Sequence, residues 1–225
     1  MKRFPCIAHT LQLVVKAITR SQSYNNLITK AKDLMKTVRI SSVGQEQLLQ
    51  LAGKVVVKDC TTRWNATLLM IDRLLDVRSD LEVVLKSLKR DSLTNTEWAR
   101  LSDIQRLLGP FRDQTNILQT DTMSLSYVIH SLLELSLHLQ DTSLPKMFAQ
   151  QLREDLLTHF AIFLNPSSTD FDPLPAAACL LDPTVSSVLS DREDASDLLA
   201  AAKAFIKVKV PSVIVCVCVT VALLL

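Results

Sequence analysis

Four places in this chain carry side chains whose type and spacing could do chemistry. The first is Cys6-x-x-His9, which has the spacing of half a metal site. A zinc site takes four protein ligands, or three and a water. His130, His138 and His159 stand singly and offer no second half-site, so packing or hydrogen bonding is the expected role of Cys6 and His9. No metal ligand is nominated. The second place is the run of acids Asp59, Asp72, Asp76 and Asp80. Metal-assisted hydrolysis needs carboxylates that converge from different elements. Asp72, Asp76 and Asp80, at i, i+4 and i+8, instead form one stripe beside Arg73 and Arg78, and read as a solvated face. The third is "SDRED" (190–194), where acids complement the dipole at a helix start. No P-loop, GxGxxG or Ser/Cys nucleophile signature occurs, so no catalytic residue, cofactor or small-molecule substrate is expected.

The fourth place is Arg63-Trp64, at the head of "WNATLLMIDRLL". Two readings stay open. The indole packs into the core, or it offers its face to an unpaired base while the guanidinium meets a phosphate.

These residues must be positioned mainly by helices. The chain has 225 residues, 48% of them hydrophobic, only 3 Gly and 5% aromatics, a balance that suits helix more than sheet. Ile7, Leu11, Val14, Val15 and Ile18 share one helical face. A second helix is expected over Tyr24–Val38, with Leu27, Ala31, Leu34, Met35 and Val38 inward. "KVVVKDC" (54–60) is short and β-branched, and could form a strand. From Thr62 to Leu88 the apolar spacing predicts one long amphipathic helix.

Punctuation is explicit further on. Thr94-x-x-Glu97 reads as a capping box. Gly109-Pro110 is expected to stop or kink that helix. Helices follow near 111–121, 124–140 and 146–164, then a Pro/Ser/Asp-rich loop at 165–175 and a short helix over Ala176–Leu181. Ser190-x-x-Glu193 reads as a second capping box, opening a helix to about Val208.

Charge is unevenly spread. Residues 1–90 carry 16 Lys/Arg against 7 Asp/Glu, and residues 91–225 carry 9 against 16. The basic first half suits a polyanion. Five scattered cysteines (Cys6, Cys60, Cys179, Cys216, Cys218) without a signal peptide point to a reducing, intracellular setting. The last 16 residues, Val210–Leu225, hold no charge and follow Lys203, Lys207 and Lys209. That run is just short of the about 17 residues needed to span a bilayer. A membrane-tethered helical protein, anchored through 208–225, is therefore the alternative reading.

Three segments together resemble the hAT-superfamily transposases, most of all their domesticated, zinc finger BED-type descendants. "CIAHTLQLVVKAI" (6–18) is similar to that family's Cys-x-x-His-x-Leu-x-Leu segment. "TTRWNATLLMIDRLL" (61–75) is similar to its Thr-Arg-Trp-Asn segment, and "AAACLLDPTVSSVL" (176–189) to its Leu-Asp-Pro segment, with Thr184-Val185-Ser186 replacing a basic-aromatic stretch. The resemblance implies a mainly α chain: a fragment of an RNase H-like catalytic domain plus its all-helical insertion. The expected divisions are 1–58 for the RNase H-like remnant, 59–207 for the helical insertion-type domain and 208–225 for the apolar tail.

By the same resemblance, the metal-holding Asp, Asp and Glu have no counterparts here, and no enzyme activity is expected. Cys6 and His9 match a structural pair near the ancestral active site. Arg63 and Trp64 match an Arg-Trp pair whose tryptophan stacks on a base. Weak DNA binding and a nuclear location are implied. The BED finger and the C-terminal dimerisation region have no match, so no dimer is expected.

Overall fold

The structure, a computed structural model, describes residues 6–55, 64–120 and 125–209. Among the described residues there are twelve α-helices and no strand, as the composition and the resemblance led one to expect. The stretch read as a strand, 54–60, lies outside the described residues except for Lys54 and Val55, and the tail 210–225 lies outside them entirely. Among the described residues no helix is long and apolar enough to cross a membrane.

The chain forms two compact units that interleave in sequence. Of the described residues, one comprises those within 11–115 and 139–152; the other comprises those within 6–10, 116–138 and 153–209.

In the first of these units, α1 (Ile7–Thr19) contributes Leu11, Val14, Val15 and Ile18, all buried as their spacing predicts. α2 (Gln22–Ile40) starts at Ser21, whose hydroxyl accepts from Tyr24 N–H, and buries Leu27, Ala31, Leu34, Met35 and Val38. Ser41 then serves two helices. Its N–H caps α2 at Val38 O, and its hydroxyl accepts from Gly44 N–H to open α3 (Ser42–Ala52). α3 has no clear apolar period because Val43, Leu49 and Leu51 lie on its exposed sides. Gly44 lets it pack closely, since a Cβ there would meet Leu88 Cδ1 at 3.0 Å.

The single long helix expected from Thr62 to Leu88 is instead two, α4 (Trp64–Asp76) and α5 (Arg78–Ser87). Val77, at φ −103°, ψ 14°, breaks the run. The apolar stripe survives the break because Val77 is itself buried, along with Leu74 before it and Leu81 after it. Periodicity marks which residues face inward, and it does not see a one-residue bend that keeps them inward.

α6 (Asn95–Ile117) carries the expected capping box: Thr94 Oγ1 accepts from Glu97 N–H at 3.2 Å, and Glu97 Oε2 accepts from Thr94 N–H at 2.9 Å. Of the stop or kink expected at Gly109-Pro110, the stop does not occur: α6 runs through Pro110. Proline there removes the bond to Arg106 O and costs about 3 kcal/mol in a free helix. The burial of Leu107, Leu108 and Phe111 on either side of it offsets that cost. The helix expected at 111–121 is the end of α6.

In the other unit α7 (Ser126–His138), α10 (Leu174–Leu181), α11 (Ser187–Ser190) and α12 (Ser196–Lys209) pack together. The helix expected over 146–164 is divided at Phe160 into α8 (Lys146–His159) and α9 (Ala161–Leu164). The loop at 165–175 is present, tied by Asn165 and Asp172 side chains that accept from Ser167 and Leu174 N–H. The second capping box is not formed. Ser190 closes α11 and turns its hydroxyl back to Ser186 O, while Glu193 begins a 3-10 turn, Glu193–Ala195, so α12 starts only at Ser196.

Candidate nucleic-acid interface

Cys6 immediately precedes α1, and its carbonyl accepts both the N–H and the hydroxyl of Thr10, at 3.0 and 3.1 Å. Cys6 thus acts through its backbone in the first turn, while its thiol and the His9 ring are exposed. Among the described residues no group of three or more His, Cys, Asp or Glu side chains is placed to hold a metal ion.

Trp64 is the first residue of α4 and is half-buried. Its Nε1 is covered yet meets no acceptor, and the neighbouring amide oxygen Asn65 Oδ1 is covered yet meets no donor. An N–H covered without a partner costs about 1–3 kcal/mol, which offsets what the partial burial of the ring contributes. The indole nitrogen of the chain's other tryptophan also lacks an acceptor, but that side chain is far more deeply buried. Trp98, on α6, is 1% exposed, and the Arg78 guanidinium lies 5.1 Å from its ring centre. Trp98 is, with Phe111, an aromatic core anchor of its unit, a role that composition could not divide between the two tryptophans.

Arg63 lies outside the described residues. The chain on either side of its segment is placed. Lys54 pairs with Asp76 at 2.7 Å, and Arg73 donates to Val55 O at 3.2 Å, so residues 54–55 are tethered to the last turn of α4. Trp64 opens the same helix.

Two of the acids read as a solvated stripe, Asp72 and Asp76, also pair with cations, and Asp76 remains exposed. Asp72 accepts from Gln105 Nε2 at 2.9 Å and pairs with Arg112, which ties α4 to α6. Asp76 is held below the ordinary carboxylate range by its bond from Lys54. Asp80 falls on α5, beyond the break. They do not converge on a common point that a metal pair would require. In "SDRED", Arg192 holds Asp194 through two parallel bonds of 2.9 and 2.8 Å.

Part of the basic excess is likewise neutralised internally, through Lys30–Glu97, Lys54–Asp76 and Arg78–Glu82. Lys16, Arg20 and Lys36 are exposed and, among the described residues, pair with no carboxylate. The signal that could have found Lys16 and Lys36 is their place between the apolar positions of α1 and α2.

The Leu181-Asp182-Pro183 segment has a defined structural task. Asp182 Oδ2 accepts from Ser126 Oγ at 2.6 Å, and Oδ1 accepts from the N–H and hydroxyl of Thr184. The carboxylate thereby joins the start of α7 to the turn after α10. Nearby Cys179 is buried and its thiol is pushed up to about 11, first by burial and then by the Asp182 charge, which makes it unreactive.

Residues 4–107 match the family model of the ZBED1 RNase-like helical domain. The human zinc finger BED domain-containing protein 4 is 24% identical over 201 residues, which cover 84% of this chain. The chain spans 17% of that relative's length. With the helical fold, these likenesses make residues 4–107 similar to the ZBED1 RNase-like helical domain, and the wider chain similar to a zinc finger BED domain-containing protein.

Proposed function

We propose that the chain is a catalytically silent, transposase-derived module that contacts DNA weakly in the nucleus, with Arg63 and Trp64 as the contact pair. The observation that carries this reading is the unequal burial of the two tryptophans: Trp98 fills the core at 1% exposure, whereas Trp64 is only half-buried at a helix start, although the indole nitrogen of each lacks an acceptor. Lys16, Arg20 and Lys36 supply exposed positive charge in the same part of the sequence. The domesticated relatives support absence of strand cleavage, as does the engagement of Asp72 and Asp76 by cations. In this reading residues 59–207 serve as the helical insertion-type part, and Cys6 and His9 keep a structural role.

Anisotropy with a labelled single strand and a hairpin tests the proposal. Binding should fall with salt, since each phosphate neutralised releases counterions. Trp64→Ala should weaken it by about 1–3 kcal/mol per folded molecule if the indole stacks on a base. A lowered melting temperature with unchanged affinity per folded molecule would refute the stacking role. No nicking is expected with Mg²⁺ or Mn²⁺; nicking abolished by Asp59→Asn would refute catalytic silence.

A further inference from the structure

A cavity of about 360 Å³ opens on the unit formed by Leu11–Thr115 and Leu139–Leu152, and Trp64 is not part of it. Its walls come from α1, α2, α6 and the start of α8, with Ile18, Leu27, Ile104, Leu107 and Phe148 presenting apolar surface. Met147 stands at the edge, 75% exposed. The volume is at the low end of the roughly 300–1,000 Å³ of ligand pockets, enough for a short alkyl chain or one aromatic ring system.

We propose that this cavity binds a small monoanionic amphiphile, a carboxylate on a short alkyl or aromatic body. Three features select that chemistry. Arg100 lies at the lining, is exposed, and pairs with no carboxylate among the described residues. The neighbouring Arg106 is by contrast occupied, by Asp103 at 3.8 Å and by Ser143 O and Oγ at 3.0 and 2.6 Å. A guanidinium with free donors matches a carboxylate through two parallel bonds. Second, Pro145, Met147 and Phe148 bring the first turn of α8 to the cavity, and the unbonded N–H groups of a first turn carry partial positive charge. Third, Asp103 also lines the cavity and repels a second negative charge, which disfavours a phosphate dianion.

Calorimetric titration of the full chain with decanoate, decanol and decyl phosphate tests this. Decanoate should bind saturably, one per chain, and more tightly than either of the others. Arg100→Gln should weaken decanoate about tenfold, the scale of one charge-assisted hydrogen bond, and leave decanol unchanged. Leu107→Phe, which fills the cavity, should abolish both. Non-saturating uptake, equal affinity for decanol, or an Arg100→Gln variant that binds decanoate like the parent would overturn the proposal. Arg100 is exposed, so its substitution keeps the test valid even where Leu107→Phe fails to fold.

Discussion

Ser126, buried at the start of α7, donates its hydroxyl to Oδ2 of Asp182 at 2.6 Å, across 56 residues of sequence. The carboxylate is held below its ordinary range, first by that bond and then by the two from Thr184. A group whose folded pKa is depressed contributes stability that is present above its unfolded pKa, near 3.9, and is lost as pH falls through the folded value. Asp182→Asn should therefore lower the melting temperature at pH 7, and the gap from the parent should close on acidification below about pH 4. Thermal melts of both proteins from pH 7 to pH 3 check this. A gap independent of pH would assign the effect to shape and not to charge.

Lys89 occupies the left-handed region at φ 55°, the only non-glycine with positive φ among the described residues. Its N–H bonds Lys86 O at 3.1 Å, and Arg90 N–H bonds Leu85 O at 2.9 Å, so it sits where a helix end normally places glycine. A side chain in this conformation costs about 1–2 kcal/mol, part of which glycine returns through its greater unfolded freedom. Lys89→Gly should raise unfolding free energy by about 0.5–1 kcal/mol in a urea titration. Lys89→Ala should bring no such gain.

Legibility in the sequence followed the physics of each element. The inward faces of α1 and α2 were readable because one side of each is uniformly apolar and the other polar. The Thr94 capping box was readable because both partners lie within one turn. Ser190-x-x-Glu193 has the same letters, yet the hydroxyl had a nearer acceptor at Ser186 O and the turn closed backward. The breaks at Val77 and Phe160 were hidden because both residues are apolar and buried, so each interruption looks like continuity. Pro110, as a stop signal, misled in the opposite sense, because tertiary burial overrode a local penalty. At the candidate site, Trp64 was singled out by its position, but its contrast with Trp98 depends on burial, which no short stretch of sequence contains.

The capping box is also a tertiary joint. Glu97 uses Oε2 for Thr94 and Oε1 for Lys30 on α2, and Lys30 is the leading cause of its lowered pKa. Thr94→Ala should cost about 1 kcal/mol, the usual scale of a lost cap. Lys30→Ala should cost less, because Lys30 is largely exposed and such pairs contribute about 0–1 kcal/mol. High salt should shrink the Lys30 effect and leave the Thr94 effect in place. Urea titrations of the two variants in low and high salt separate the contributions.

The two tryptophans should answer differently to the same substitution. Trp98→Ala removes a fully buried ring, the surface on which Arg78 rests, and should cost about 3–5 kcal/mol. Trp64→Ala uncovers only part of a ring, for about 1–2 kcal/mol by lost apolar area, and deletes a covered N–H that has no acceptor. Trp64→Phe keeps most of the ring contact and removes only that N–H, so it should leave stability unchanged or slightly raised. Trp98→Phe should be clearly destabilising, since it shrinks a side chain in a closed core. Urea unfolding of the four variants, followed by far-ultraviolet circular dichroism, measures all of this. If Trp64→Phe lost as much stability as Trp98→Phe, Trp64 would be a second core anchor, and no reason would remain to place a base on its open face.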